Sequence, residues 1–437
     1  MRQIKALGKY AEVWPWRREV LICVVVGSLG IIIIDLLTLR YGAYYSDNIL
    51  ILYPVAMHSL TESFKVDIRP FEYLIILVAN NIYLPLWLGV TLLCTIGATI
   101  LAALVCERMF ERQLPEPGWW VLGVANPLLF YVISQPIVSQ ALCNLFFAGA
   151  MLAFVSELDR LSDQAARGWR ADKVAVLLNL IAAALFFTKE TAVVAATLIP
   201  AVATLIRIKR RQSSPLFVFS LLFPIAAGIC WILLKIWEKL TFPYSMVPTV
   251  GEGRYDLKLN PILWAENFIT TLSFPITPLP SSFIGFELLR PLWISVALGS
   301  VILFTVALLR ESVRRPKVVL PLFVIAASCA PMILIRPSEL YSSMIAPFAV
   351  SIVLSNLRWL SLAYGLILYA ASLGNGIIFW LGPNFNLLGL GHLEYSIYGK
   401  EYQVDPICPI GTTAHVAREG TPANDLPGVK NRLTCVR

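Results

Sequence analysis

Charged residues are scarce in this sequence, and that scarcity excludes an ordinary soluble domain. Only 14% of the 437 residues are charged and 58% are hydrophobic, whereas soluble domains have about 25% charged residues. Because a membrane-spanning helix needs roughly 20 apolar residues and spans are joined by short loops, the chain has room for about ten spans. The composition therefore predicts an all-α polytopic membrane protein.

Motifs for several kinds of chemistry are also missing. The sequence has no G-x-x-x-x-G-K-[ST], G-x-G-x-x-G or G-x-S-x-G pattern, which argues against a nucleotide-binding loop of these types and against a serine hydrolase. His58, His392 and His415 are too dispersed for a zinc motif, and the eight cysteines form no C-x-x-C pair. Only Cys408 and Cys435 lie in a polar segment, where export would allow a disulfide. No metal or redox framework is predicted.

The basic residues predict the orientation of the chain. They lie in short clusters between apolar runs, as cytoplasmic loops do, so the net charge of +8 predicts topology and no nucleic-acid partner. Twenty of the 35 Lys and Arg residues fall in segments assigned to the cytoplasm, ten in longer opposite loops and five in the tail. This bias predicts a cytoplasmic N-terminus and an external C-terminus.

These assignments divide the chain into two parts. Residues 1–382 form the predicted transmembrane domain, with outer loops at 41–83 and 235–290 that carry interfacial helices, and residues 383–437 form a polar external tail. The predicted spans lie at about 19–39, 86–105, 119–133, 139–154, 174–187, 191–206, 215–234, 292–309, 318–335, 344–355 and 360–381. No particular oligomeric state is predicted.

The first outer loop is the most informative segment. It is too apolar for a water-exposed loop and, broken by Pro54, too interrupted to span a bilayer, so it should lie along the membrane surface. Asp47 and Asp67 bracket it. A carboxylate at the membrane face accepts a proton from an acceptor hydroxyl, although Asp47 could equally cap a helix. We predict Asp47 as a catalytic base, with Asp67 as the competing candidate.

Three outer arginines each precede a proline, namely Arg69, Arg290 and Arg336. Proline suits the first helical position, so each pair predicts an arginine at a helix entrance. Backbone N–H groups and a guanidinium converge there on a phosphate. The alternative is that these arginines anchor span ends among lipid headgroups. Arg69 is assigned to function because it lies two residues from Asp67.

Lys189 and Glu190 occupy a connection between two predicted spans that has room for little else. They could form a self-neutralising surface pair. Alternatively, a lysine between two span ends could point at a phosphate, and the sequence does not choose between the two.

With these residues in place, the chain resembles the GT-C class of integral membrane glycosyltransferases, and within it the bacterial serotype-type O-antigen glucosyltransferases. The resemblance lies in the acid after the first span (Arg40 to Asp47), the helix entrance Asp67 to Phe71, and Thr188 to Glu190 between later spans. In that class a second acid usually follows the first, but here Asn48 follows Asp47. This departure removes support for a metal held by a carboxylate pair and keeps Asp67 as an alternative base.

The resemblance implies transfer of a sugar, with inversion, from a polyprenyl-phosphate carrier to a hydroxyl of a cell-envelope glycan or lipid-linked acceptor. The reaction would occur on the periplasmic face of a bacterial inner membrane. Asp47 would be the base, and Arg69, Lys189 and Arg336 would stabilise the phosphate. The carrier is a substrate, and no cofactor is predicted. Competing hypotheses are a transporter or flippase of lipid-linked sugars, an O-antigen polymerase or ligase, and a non-catalytic scaffold.

Overall fold

The structure is a computed structural model, and it describes residues 25, 69–82, 86–114, 138–162, 169–241, 260–277, 279, 288–334, 343–356, 363, 367, 402–404, 413–418 and 431–436. Asp47, Asp67 and Arg336 lie outside the described residues, as do Cys408, the third predicted span and most of the first and eleventh. Predictions that depend on those positions stay predictions.

The described part of the chain is mainly helical. Its α-helices are α1 (Pro70–Ile82), α2 (Leu86–Phe110), α3 (Val138–Ser162), α4 (Trp169–Leu185), α5 (Val193–Lys209), α6 (Pro215–Ser220), α7 (Leu222–Thr241), α8 (Pro261–Ile276), α9 (Arg290–Arg314), α10 (Val319–Ser328), α11 (Ala330–Leu334) and α12 (Ala346–Asn356). Short 3₁₀ turns at Glu190–Ala192 and Pro316–Val318 precede α5 and α10.

Five helical segments among the described residues are long and apolar enough to cross a membrane. They are Gly89–Phe110, Val138–Leu161, Glu190–Lys209, Pro215–Trp237 and Arg290–Arg314. They correspond to five of the predicted spans, and the shorter apolar helices Pro316–Ser328 and Ala346–Ser355 fall where two more are predicted. The helical membrane class therefore holds, while the total of about eleven spans remains a prediction.

Several helix boundaries follow from local chemistry. Asn260 caps α8, because its side-chain oxygen accepts hydrogen bonds from the backbone N–H of Ile262 and Leu263, and Pro261 occupies the first helical position. Helix α8 ends at Ile276, and the backbone N–H of Thr277 donates to the Ser273 carbonyl at that end. A break is predicted near Asn80-Asn81 and Pro85. Asn80 and Asn81 lie inside α1, whereas the separation of α1, which ends at Ile82, from α2, which begins at Leu86, agrees with a break near Pro85.

Helix α7 continues beyond the predicted end of its span. The second outer loop is predicted to begin at Lys235, which lies inside this helix because α7 ends at Thr241. The loop boundary itself stays a prediction, since a helix can extend past the membrane surface. The apolar run ends near Leu234, so hydropathy predicts the end of the span at that residue. Backbone hydrogen bonding continues past it, because Lys is a good helix former and its long stem lies along apolar surface.

Helices α2 and α3 form the centre of the core. Small residues at their interface let the two backbones approach, and a Cβ added at Gly97 would stand 2.9 Å from the Leu145 side chain. Phe147 and Phe348 then pack edge to face at 5.5 Å between α3 and α12.

Ion pairs lie at two opposite ends of this bundle. Arg69, Lys189 and Lys235, all predicted to lie outside, meet at what we call the Lys189 end. At the other end, named the Arg207 end, Arg207 contacts Glu157 and Asp172. The pairing agrees with the predicted alternation of loops, while the choice of which end faces the cytoplasm stays a prediction.

The C-terminal tail contains a small sheet, which the purely helical prediction did not include. Strands β1 (Tyr402–Val404), β2 (Thr413–Arg418) and β3 (Asn431–Val436) are ordered β1-β3-β2. Strand β3 pairs in parallel with β1 and antiparallel with β2. The preference for helices applies to backbone in lipid, and a polar tail that is predicted to lie outside the membrane is free to form strands.

Candidate functional site

Lys189 is held in the short connection between α4 and α5. Thr188 and Ala192 fix this turn, since the Thr188 Oγ1 donates to the Leu185 carbonyl at 2.8 Å and the Ala192 N–H donates to the Lys189 carbonyl at 3.0 Å. The Lys189 side chain is only 3% exposed. The surface-pair interpretation of this lysine is therefore wrong, because the turn directs its side chain into the bundle.

Glu72 is the second buried charge at this end. One carboxylate oxygen, Oε1, accepts a hydrogen bond from the Ser139 backbone N–H at 3.0 Å, at the start of α3. The other, Oε2, lies 3.6 Å from Nη1 of Arg69, one turn earlier in the chain. Arg69 and Glu72 thus join the entrance of α1 to the N-terminal end of α3.

Arg69 also contacts Glu190, which places the first outer loop against the α4–α5 connection. Its Nη2 lies 3.5 Å from Glu190 Oε2, and Nζ of Lys235 lies 3.7 Å from Glu190 Oε1. We call Arg69, Glu72, Lys189, Glu190 and Lys235 the Lys189 cluster. It contains three cationic side chains and two carboxylates.

The electrostatics of the cluster disfavour its own positive charge. The pKa of Lys189 is lowered from 10.5 to about 8, with burial as the largest cause and the nearby Arg69 as the second, while Glu190 and Glu72 act in the opposite direction. Lys189 and Arg69 are thus like charges that repel each other, and both side chains are largely out of water. Such a pair is stabilised by an added anion.

Uncharged polar groups line the start of α3 beside the cluster. The Gln140 amide donates to Asn144 Oδ1 at 2.9 Å, and the Asn144 amide donates to Ser343 Oγ at 3.0 Å. Within the described residues, Gln140 Oε1 and Ser139 Oγ are buried without a hydrogen-bond partner. These oxygen atoms can accept hydrogen bonds from a hydroxyl-bearing ligand.

The structure brings together three of the residues singled out in the sequence, namely Arg69, Lys189 and Glu190. Arg290 is exposed in the first turn of α9, a helix that supplies no member of the Lys189 cluster, and α9 begins there as its Arg-Pro pair predicts. The binding roles of all four stay predictions.

Sequence reasoning missed Glu72 and Lys235. Glu72 carried a signal, because it is the only charged residue between Phe71 and Val105. Lys235 carried little signal, because a lysine at the end of an apolar run usually marks the membrane surface.

Among the described residues, no group of three His, Cys, Asp or Glu side chains is placed to hold a metal ion. No protein-family model, curated protein or solved structure matches the chain. The resemblance to membrane glycosyltransferases therefore rests on the residues themselves.

Proposed function

We propose that this protein is an inverting glycosyltransferase that moves a sugar from a polyprenyl-phosphate carrier to a hydroxyl of a cell-envelope acceptor. The reaction takes place at the Lys189 end, which faces the periplasm of a bacterial inner membrane. The observation that carries the proposal is the convergence of Arg69 and Lys235 on Glu190, next to the buried Lys189 and to buried acceptors that have no hydrogen-bond partner among the described residues.

The charge balance of the Lys189 cluster supports a phosphate ligand. Among the described residues, its three cations exceed its two carboxylates by one, and burial and the repulsion of Arg69 both oppose the charge of Lys189. A phosphate would relieve that repulsion and accept hydrogen bonds from the guanidinium and the ammonium. The carboxylates of Glu72 and Glu190 hold Arg69 between them, so its orientation is set before a ligand arrives.

In the proposed reaction, Arg69 and Lys189 stabilise the negative charge that grows on the carrier phosphate as the bond to the sugar breaks. Preorganised cations in a site that excludes water contribute strongly to such a step. Asp47 takes the proton of the attacking hydroxyl, with Asp67 as the alternative base. Gln140 and Ser139 offer acceptors for sugar hydroxyls.

The test is transfer in vitro with purified protein, radiolabelled polyprenyl-phosphate hexose and a crude envelope acceptor. We expect Arg69→Gln to lower transfer by about 100-fold to 1,000-fold, the range found when one transition-state charge stabiliser is removed. Arg314→Gln is the matched control. Arg314 is 50% exposed at the Arg207 end, and its partner Glu311 keeps Arg112 at 3.2 Å.

Two outcomes would contradict the proposal. Equal activity in Arg69→Gln and Arg314→Gln would remove the Lys189 cluster from the reaction. If no carrier sugar supports transfer, but labelled carrier moves between leaflets of reconstituted vesicles, the protein is a flippase of lipid-linked sugars. The same cations would then bind the phosphate without chemistry.

A further inference from the structure

A second positively charged site lies at the Arg207 end, away from the Lys189 cluster. It is a cavity of about 450 Å³ between α2, α3, α5 and the start of α10. Its charged lining consists of Arg108, Asp159, Lys209, Arg210 and Lys317. Four cations therefore face one carboxylate.

The internal contacts of this lining leave it cationic. Arg108 donates to Ser156 Oγ and Arg210 to the Leu161 carbonyl, and neither of these acceptors carries a charge. Lys317 pairs with Glu111, which does not line the cavity. Even with Glu111 counted, the positive charges exceed the negative ones by two, so the cavity favours an anion.

The rest of the lining is apolar. Met109, Val155, Leu158, Ile206 and Leu320 contribute side chains from the same four elements. Each of these elements is an apolar helix or the end of one, so the cavity adjoins the membrane-spanning part of the bundle. Basic pockets between membrane helices bind the phosphate groups of lipids, because the charged rim and the apolar wall match the two halves of an amphiphile.

We propose that this cavity binds the phosphate group of an anionic phospholipid. The guanidinium groups of Arg108 and Arg210 hold the phosphate oxygens, Lys209 and Lys317 add charge at the rim, and the acyl chain lies along the apolar wall. This binding site is independent of the proposed transfer reaction, since it uses no residue of the Lys189 cluster.

The test is lipid binding to the full-length protein by native mass spectrometry in detergent, with phosphatidylglycerol, neutral phosphatidylcholine and oleate as probes. We expect tighter binding of phosphatidylglycerol and an approximately fivefold loss in Lys209→Gln, since one cation near a lipid phosphate contributes about that factor. Lys209→Arg keeps the charge and should bind as wild type does.

Arg211→Asn is the matched control. Arg211 follows Arg210, is exposed, does not line the cavity and has a φ of 55°, a conformation that asparagine tolerates. If Arg211→Asn weakens binding as much as Lys209→Gln, the effect is a general surface potential and the proposal is overturned. Equal binding of phosphatidylglycerol and phosphatidylcholine, or of oleate and phosphatidylglycerol, overturns it as well.

Inorganic phosphate distinguishes the sources of the ligand. If excess phosphate leaves phosphatidylglycerol bound, the ligand is a membrane lipid, as proposed. If it displaces the lipid at the same site, the cavity takes a phosphate compound from water, and the lipid part of the proposal is overturned.

Discussion

Replacing Arg207 by methionine should destabilise the folded protein severely. Arg207 is 2% exposed, and its Nε lies 2.5 Å from Oε1 of Glu157, which is 1% exposed. The Arg207 guanidinium also reaches Asp172 at 3.2 Å and lies 4.4 Å from the centre of the Phe217 ring. Methionine keeps the apolar stem of the side chain but removes every one of these polar contacts.

The expected magnitude follows from what Glu157 would lose. Removing one partner of a buried ion pair leaves an uncompensated charge and costs about 3–5 kcal/mol. No other hydrogen bond to Glu157 would compensate the loss, because its second oxygen, Oε2, is already buried without a partner among the described residues. Asp172 adds little to the cost, since its side chain is 19% exposed and rehydrates. We therefore expect Arg207→Met to cost about 3–5 kcal/mol.

The assay is equilibrium unfolding in mixed detergent micelles, and the decisive comparison is a double-mutant cycle. Arg207→Met/Glu157→Leu leaves no buried charge of this pair, so the double variant should be more stable than Arg207→Met alone by about 2 kcal/mol or more. Arg314→Met, on an exposed arginine at the same end, should change stability by at most about 0.5 kcal/mol. Additive effects in the cycle, or a cost below about 1 kcal/mol for Arg207→Met, would refute the assigned ion pair.

Two further predictions concern the Lys189 end. Because burial lowers the pKa of Lys189 to about 8 from 10.5, transfer should fall as the pH rises through 8. The free energy of unfolding should instead rise between pH 8 and pH 10.5, because the unfolded state binds more protons than the folded state in that range. A pH profile of transfer that does not fall through pH 8, or a fall that Lys189→Met also shows, would contradict the role of Lys189 in transfer. Asp47→Asn should abolish transfer without lowering expression, whereas full activity in that variant and its loss in Asp67→Asn would assign the base to Asp67.

The parts of the fold that were predictable depend on neighbouring residues. The cap at Asn260 and the α1 entrance at Pro70 need only a few adjacent groups to form. Long apolar runs likewise predict spans, because hydropathy is a property of a window of sequence. For these features the chemistry within one turn of helix is enough.

Contacts between distant elements were not predictable in the same way. Arg207 counted only as one more basic residue of a cytoplasmic loop, yet it pairs with Glu157, 50 positions earlier. Glu190 meets Arg69 across 121 positions. Hydropathy shows that such charged residues lie near span ends. Which opposite charge each of them contacts depends on how the helices pack, and that packing is a property of the whole bundle.

The ion pairs of Arg207 and the Lys189 cluster differ in charge balance, so substitutions in them should affect stability and transfer differently. Around Arg207, one cation faces two carboxylates, so the positive charge is fully compensated within the protein. At the Lys189 cluster, three cations share two carboxylates, and the buried lysine is opposed by Arg69. Neutralising Arg207 should therefore cost stability first. Arg69→Gln relieves the repulsion of Lys189 but also removes a cation beside the buried Glu72, so its loss of transfer is to be measured at equal amounts of folded protein.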